Sequence, residues 1–160
     1  MTDFQDCLTQ SYPAVPGSLP IARRAVARLA RAAGANEEQI GEIRLAVSEA
    51  LTNVILHAYC DEQGQIHVTA VVVGGELWLV VADDGGGLRA NSEKAGLGLG
   101  LALIAQVSDE LTIARRPCGG TEIRIRFRLR RAASDRAARV AARPGSRLRS
   151  SPSSPAPLRS

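Results

Sequence analysis

Apolar residues recur at helical spacing in two stretches near the start of the chain. Ser18, with Pro20 just inside, is typical of a helix start and Gly34 of a helix stop, which predicts a first helix over about 18–33. Asn36 is a favoured N-cap residue and predicts a second helix that runs to about His57. The residues at helical spacing are Ile21, Ala25, Arg28, Leu29 and Ala32 in the first stretch and Ile40, Ile43, Ala46, Val47, Ala50, Leu51 and Val54 in the second. The second helix is therefore long and apolar along one face.

Period-two alternation and turn residues dominate the pattern after residue 65. Gly74-Gly75 predicts a hairpin with a two-residue loop. In the last strand, apolar residues alternate with arginines from Ile123 to Arg130, so one face of the sheet meets helices and the other meets water. The predicted strands are 66–73, 76–82, 111–115 and 121–130, and a third core helix is predicted at 99–108. We therefore expect an α/β fold, a two-layer sandwich of a mixed, mainly antiparallel sheet covered on one face by helices.

Composition fits one domain with an aliphatic core. The chain has 160 residues, of which 45% are hydrophobic and only 3% aromatic. No apolar run approaches the roughly 20 residues that span a bilayer, and residues 1–10 are too polar for a signal peptide. Cys7, Cys60 and Cys118 lack metal-site spacing and are expected to be free thiols. We expect a cytoplasmic protein with no membrane contact.

The charge is unevenly distributed along the chain. Eight arginines and one aspartate give residues 130–160 a net charge of +7, and since the whole chain carries +4, residues 1–129 carry −3. Residues 131–160 are rich in Ala, Arg, Ser and Pro, which predicts a disordered tail after a domain over 1–130. A short basic helix over 132–143 is the alternative. Nucleic-acid binding through the tail is disfavoured because the rest is acidic and poor in aromatics.

Glu49 and Asn53 are four residues apart in the second helix, so their side chains share a face one turn apart. An amide oxygen suits Mg²⁺, and a carboxylate one turn away can accept a proton from a hydroxyl group. Taken alone, the two residues are better explained as a solvated helix face, because polar pairs at this spacing are common.

Two glycine-rich turns follow. Asp83 ends a buried strand and precedes Gly85 and Gly87. Its carboxylate could accept a hydrogen bond from the exocyclic amine of adenine. A glycine loop capped by Asp, with no ligand, is an equal alternative. A second glycine motif, Gly96-x-Gly98-x-Gly100, stands at the start of the third helix. The N–H groups at a helix N-terminus attract anions, so this motif is a candidate phosphate site. Loops before helices often contain glycine for other reasons, which is the alternative. The spacing is not that of a dinucleotide fold, and the absence of GKS or GKT excludes a P-loop.

The order of these motifs over about residues 4–130 resembles the GHKL ATPases, the superfamily of gyrase and the histidine kinases. Within it the chain most resembles the small anti-sigma factor serine kinases. The motifs are Ser48-Glu49-Ala50-Leu51-Thr52-Asn53 with His57-Ala58-Tyr59, Asp83-x-Gly85-x-Gly87, Gly96-x-Gly98-x-Gly100 and Gly120-Thr121. The resemblance implies a Bergerat ATP-binding fold that uses ATP and Mg²⁺.

The resemblance also implies a role for each matching residue. Asn53 would coordinate Mg²⁺, Glu49 would be the general base and Asp83 would bind adenine. Thr121 would support Asp83, and Lys94, where an arginine is common, would contact phosphate, with a solvated lysine as the alternative. The implied glycine positions are Gly85 and Gly87 at adenine and Gly96, Gly98 and Gly100 at the phosphates.

The family's activity sets the expected function. Its kinase members phosphorylate a serine on an anti-anti-sigma partner of the STAS type, sequester a sigma factor and are usually homodimers. Here the segment 88–95, between the two glycine turns, is shorter than in the well-known kinases. A nonenzymatic switch that binds ATP and sequesters a protein partner is therefore the alternative.

Overall fold

The structure is a computed structural model that describes residues 7–59, 63–86 and 97–130. These residues form a sheet with helices packed on one face, as predicted. In chain order, the elements are β1 (Cys7–Pro13), α1 (Ser18–Ala32), α2 (Glu37–His57), β2 (Gln65–Val73), β3 (Glu76–Asp83), α3 (Leu97–Val107), β4 (Glu110–Arg115) and β5 (Thr121–Arg128).

The five strands form one sheet in the order β1-β2-β3-β5-β4, and each neighbouring pair is antiparallel. The predicted α/β sandwich is therefore confirmed, but among the described residues the sheet is antiparallel throughout and not mixed, because no two neighbouring strands run in the same direction. The β2–β3 hairpin turns on Gly74 and Gly75, whose φ angles of 60° and 80° suit the two-residue hairpin turn that requires positive φ at both positions. Strand β5 lies between β3 and β4, so the turn before β5 comes next to the end of β3.

Strand β1 was not predicted from the sequence. It pairs with β2 along its whole length, from Cys7 opposite Val71 to Pro13 opposite Gln65. Only Tyr12 of its seven residues is buried, because β1 lies at the edge of the sheet. A mostly exposed edge strand needs no apolar alternation, so the pattern carried no signal for it.

Helix α1 has the predicted bounds but buries a different face. The predicted stripe included Ile21, which is 60% exposed, whereas the buried stripe is Ala22, Val26, Ala27, Leu29 and Ala30. Ser18 is the first helical residue, and its hydroxyl donates to the carbonyl oxygen of Pro13 (2.7 Å), which ties the helix to the end of β1. Gly34, at φ 90°, ends the helical segment as predicted.

Helix α2 is the centre of the core. Its N-cap is Asn36, as predicted, and the Asn36 Oδ1 atom accepts a hydrogen bond from the Gln39 N–H (2.9 Å). All seven apolar residues predicted for its face are buried. They pack against the inner face of the sheet, whose fully buried side chains include Ile66, Leu77, Leu79, Ile123, Ile125 and Phe127. The helix that carries Glu49 and Asn53 is therefore held on a rigid base.

The other face of the sheet meets solvent. Arg124 and Arg128 are exposed there, as the alternation predicted. Trp78 is 39% exposed on the same face, with the guanidinium carbon of Arg126 5.5 Å from its ring centroid. In the part of the chain that the structure describes, no helix is both long and apolar enough to cross a membrane.

Candidate functional site

Glu49 and Asn53 face the first turns of α3. A Cβ atom placed on Gly100 would lie 2.7 Å from Oε2 of Glu49 and 3.8 Å from Oδ1 of Asn53. Gly100 is buried in α3, so the missing side chain is what leaves room for the two polar groups. The Glu49 carboxylate is half-buried and makes no hydrogen bond to a described residue. The structure thus brings three of the predicted site residues together.

The Asn53 side chain has an unusual environment. Asn53 is 5% exposed, and its Nδ2 atom has no hydrogen-bond partner among the described residues. A buried amide left unpaired costs about 1–3 kcal/mol, so such a group is retained in a fold where it has another purpose. It lines a cavity whose walls are Asn53, Val54, Ala58, Asp83, Thr121 and Ile123. The cavity therefore extends from Asn53 of α2 to Asp83 at the end of β3.

Asp83 occupies the opposite wall of this cavity. It is 2% exposed at the last position of β3. Its Oδ1 atom accepts a hydrogen bond from the Gly85 N–H (2.9 Å), and Oδ2 accepts one from the Thr121 N–H (3.2 Å). Burial raises the pKa of Asp83, and the two backbone hydrogen bonds oppose that rise. An ionised carboxylate has about four acceptor positions, so capacity remains for a ligand donor.

Two glycines allow the backbone to close around Asp83. A Cβ atom on Gly85 would lie 2.1 Å from the carbonyl oxygen of Ala58, and the Gly86 N–H donates to that same oxygen (2.8 Å). Gly120 has φ 85°, and a Cβ atom there would lie 2.0 Å from the Asp83 carbonyl oxygen. These close contacts pack the turn after β3 against the end of α2 on one side and the start of β5 on the other.

The remaining predicted site residues have different places. Thr121 is buried beside Asp83, and Gly98 is exposed near the start of α3. Gly87, Lys94 and Gly96 lie outside the described residues. Within the described residues, no cluster of three or more His, Cys, Asp or Glu side chains is arranged to hold a metal ion. A Mg²⁺ ion at Asn53 would therefore rely on few protein oxygens, the kind of binding in which ligand phosphates and water complete the shell.

Two residues that shape the site were not assigned a role from the sequence. The Tyr59 hydroxyl accepts hydrogen bonds from the N–H groups of Gln65 (3.1 Å) and Asp84 (3.0 Å) and donates to the Gln65 carbonyl (2.6 Å). Arg116 donates to the Asp83 carbonyl (2.7 Å). Tyr59 belongs to the motif His57-Ala58-Tyr59, so the sequence did contain a signal for it. Arg116 is 33 residues from Asp83, and no local pattern marks that contact.

Comparison with known proteins agrees with this geometry. The histidine kinase-like ATPase domain family matches residues 12–127. An anti-sigma F factor of Thermoanaerobacter sp. (strain X514) is 32% identical over 117 residues, which cover 65% of this chain and 80% of that protein. The serine-protein kinase RsbW of Bacillus pumilus is 30% identical over 131 residues, which cover 71% of this chain and 81% of the kinase.

A solved structure shows the same architecture. The crystal structure of the RsbU and RsbW domains of a Mycobacterium tuberculosis protein superposes with a TM-score of 0.61 and 25% sequence identity over 77% of this chain. The matched region is 32% of that longer protein. From its motifs, fold and relatives, the chain belongs to the histidine kinase-like (GHKL) ATPase family, in the branch of the anti-sigma F factors and RsbW-type serine-protein kinases.

Proposed function

We propose that this protein is an ATP-binding anti-sigma regulatory factor that phosphorylates a serine on a STAS-type anti-anti-sigma partner and sequesters a sigma factor. Its relatives support the regulatory class, since they include anti-sigma F factors and serine-protein kinases. The arrangement of the site residues supports ATP binding and phosphoryl transfer.

Adenine recognition is assigned to the Asp83 wall of the cavity. The carboxylate accepts a hydrogen bond from the exocyclic amine of adenine, whereas guanine presents an oxygen at the same position, so ATP is preferred over GTP. Thr121 and Gly85 support this role because their N–H groups hold the carboxylate in one orientation. The phosphates then extend toward α3, where Gly98 and Gly100 permit close backbone approach and the helix N-terminus favours negative charge.

The reacting end of the nucleotide is assigned to the α2 pair. Asn53 Oδ1 would hold Mg²⁺, which when bound neutralises developing charge on the phosphates. The serine hydroxyl of the partner gives its proton to Glu49 while its oxygen forms a bond to the γ-phosphorus, and the bond from that phosphorus to the β–γ bridging oxygen breaks to release ADP. The observation that carries this proposal is the Glu49 carboxylate, half-buried against Gly100 and without a hydrogen bond to any described residue.

The test is transfer of label from the γ-phosphate of Mg-ATP to a cognate STAS-domain protein. We expect wild type to transfer label and Glu49→Gln to lose at least about 100-fold in rate, because a general base contributes roughly 10²–10⁴-fold. Glu38→Gln is the matched control, since Glu38 is an exposed carboxylate on the same helix. If Glu49→Gln transfers label at the wild-type rate, Glu49 is not the base.

A nonenzymatic switch is the second candidate function. The segment 88–95 between the glycine turns is short, which favours this candidate because a short lid would close poorly over the γ-phosphate and so impair transfer more than binding. This candidate expects nucleotide binding of micromolar class, about −8 kcal/mol, without turnover. A partner pulldown in ATP and in ADP measures the switch, and any labelled STAS partner in the transfer assay eliminates it.

The proposed function also includes an oligomeric state and a cellular location. We propose a homodimer that acts in the cytoplasm, with residues 131–160 forming a basic tail that takes no part in nucleotide binding. Light scattering of the purified full chain tests the dimer directly, and a monomeric mass at micromolar concentration would contradict it.

A further inference from the structure

Arg116 connects the turn before β5 to the end of β3. It directly follows β4, and the turn it begins is closed by hydrogen bonds from the Arg116 N–H to the Gly120 carbonyl (3.1 Å) and from the Gly119 N–H to the Arg116 carbonyl (3.1 Å). The Arg116 Nη1 atom donates to the Asp83 carbonyl oxygen (2.7 Å) and also contacts the Asp84 carboxylate. One guanidinium therefore holds two consecutive residues of the site.

The Asp83 peptide lies where regular pairing with β5 has ended. The last paired residues of β3 and β5 are Ala82 and Glu122, so the ladder stops one residue short of Asp83. The Thr121 N–H, which would continue the ladder, donates to the Asp83 side chain instead. Arg116 thus donates a hydrogen bond to a carbonyl that lies beyond the last ladder pair. A hydrogen bond from a charged guanidinium is stronger than a hydrogen bond between two neutral backbone groups.

Asp84 holds Arg116 in place. Its carboxylate contacts Arg116 through one oxygen and the His67 Nε2 atom through the other (2.6 Å), and His67 is hydrogen-bonded in turn to Ser11 of β1 (2.8 Å). The hydrogen bond to His67, with support from Arg116, lowers the pKa of Asp84, which favours the charged carboxylate. The Asp84 N–H donates to Tyr59. Asp84 is therefore contacted by His67 of β2, by Tyr59 just after α2 and by Arg116 of the β4–β5 turn.

We propose that Arg116, held by Asp84, is a positioning residue for adenine recognition: it fixes the Asp83 peptide and so aims the Asp83 carboxylate at the exocyclic amine of the base. This inference rests on the proposed ATP binding. It extends the site to a residue that is absent from the cavity wall.

The experiment compares ATP and GTP affinity by calorimetric titration of the full-length protein with Mg²⁺ present. The variants are Arg116→Met, Arg116→Lys, Asp84→Asn and the double variant of Arg116→Met with Asp84→Asn. The control is Arg115→Met, because Arg115 is the exposed neighbouring arginine and its side chain makes no hydrogen bond or ion pair to a described residue. Thermal melts without nucleotide report on the fold of each variant.

We expect Arg116→Met to weaken ATP binding at least about tenfold while GTP binding changes less than about threefold, so that the preference for ATP falls. Arg116→Lys should recover part of the preference. The double variant should lose no more than Arg116→Met alone, because the two residues act as one pair. Arg115→Met should match wild type.

Three results would overturn the inference. Arg116→Met with the wild-type preference for ATP removes the positioning role. Equal losses for ATP and GTP, with a lowered melting temperature in Arg116→Met and Arg116→Lys alike, assign Arg116 to stability alone. A wild-type protein that binds neither nucleotide refutes the proposed function itself, and that outcome is distinct because it appears before any variant is made.

Discussion

Gly100 lies against Glu49 so closely that a methyl group on Gly100 would stand 2.7 Å from the Glu49 Oε2 atom. That separation is shorter than any ordinary contact between carbon and oxygen, so one of the two residues must give way. The Glu49 carboxylate is the end of a flexible side chain, whereas Gly100 belongs to the backbone of α3. The contact therefore offers a way to move the carboxylate without removing it.

Gly100→Ala is expected to slow phosphotransfer by about 10- to 100-fold, because a displacement near 1 Å in a reacting group has effects of that size. The fold should persist, since alanine is the better helix residue by about 1 kcal/mol. Label transfer to the STAS partner measures the first effect and thermal melting the second. Gly41→Ala is the control: Gly41 lies in α2 with open space where its methyl would go. Equal transfer rates for both variants would disprove the displacement.

Asn53→Ala should separate ligand binding from stability. The Asn53 Nδ2 atom has no partner among the described residues, so the gain from removing an unpaired amide should offset the packing lost with the side chain, and the free energy of unfolding should change by less than about 1 kcal/mol. Leu51→Ala, at a fully buried position of the same helix, should cost about 2–5 kcal/mol. ATP titrations with and without Mg²⁺ should show that Asn53→Ala loses the Mg²⁺-dependent part of the affinity. A variant that keeps this dependence would place the metal elsewhere.

The pKa of Asp83 predicts how stability changes with pH. Burial raises this pKa above its ordinary value of 3.8, so the folded protein takes up the proton at a higher pH than the unfolded chain does. As pH falls from neutral through the raised pKa, wild type should therefore gain stability relative to Asp83→Asn, and the gain should be complete once the pH is below 3.8. ATP affinity should fall over the same range, because a protonated carboxyl loses acceptor capacity.

Denaturant unfolding of wild type and Asp83→Asn from pH 7 downward checks this expectation. Subtracting the two curves cancels the other titrating groups, including Asp84, whose lowered pKa acts in the opposite direction. A difference that stays constant with pH would mean that Asp83 is no harder to ionise in the folded protein than in the unfolded chain.

Two truncations should behave very differently although they differ by two residues. Removal of 131–160 should leave stability and ATP affinity unchanged. Removal of 129–160 should cost about 2–3 kcal/mol, on the basis of roughly 1 kcal/mol for each hydrogen bond lost. The bonds that would be lost join the Leu129 N–H to the Gly75 carbonyl (2.8 Å), the Arg130 N–H to Gln39 (2.8 Å) and the Asn36 N–H to the Arg130 carbonyl (2.9 Å).

Urea unfolding of both truncated proteins provides the measurement. Weaker ATP binding after removal of 131–160 would show that the tail contributes to the site. DNA affinity that depends on the same residues would instead revive the nucleic-acid interpretation of the basic tail.

Prediction from the sequence was most accurate where a single local pattern, such as the helical period, determines which residues are buried. The apolar face of α2 follows the helical period so closely that every predicted residue is buried. The same period placed Glu49 and Asn53 on one face, and the structure adds that Gly100 faces them. In α1, small alanines on several sides left the period ambiguous, and Ile21 was assigned to the wrong face. Burial of alanine is hard to infer because its hydrophobic signal is weak.

Long-range contacts account for what the sequence did not reveal. Strand β1 is stabilised by pairing with β2, more than 50 residues away, and its own residues alternate weakly. The contact of Arg116 with Asp83 depends on β5 being inserted between β3 and β4, which no local pattern specifies. Individual motifs therefore pointed to side chains that the fold brings together, whereas the residues that hold those side chains emerged only from the topology.

The position of Trp78 has a practical consequence for these experiments. It is the single tryptophan of the chain, and it lies on the outer face of the sheet beside Arg126, whereas the cavity is lined by residues of α2 and by the ends of β3 and β5. Its intrinsic fluorescence should therefore follow loss of the folded sheet while remaining nearly silent to nucleotide. The wild-type protein thus contains its own optical probe of unfolding, one whose signal stays separable from ligand binding in a single cuvette.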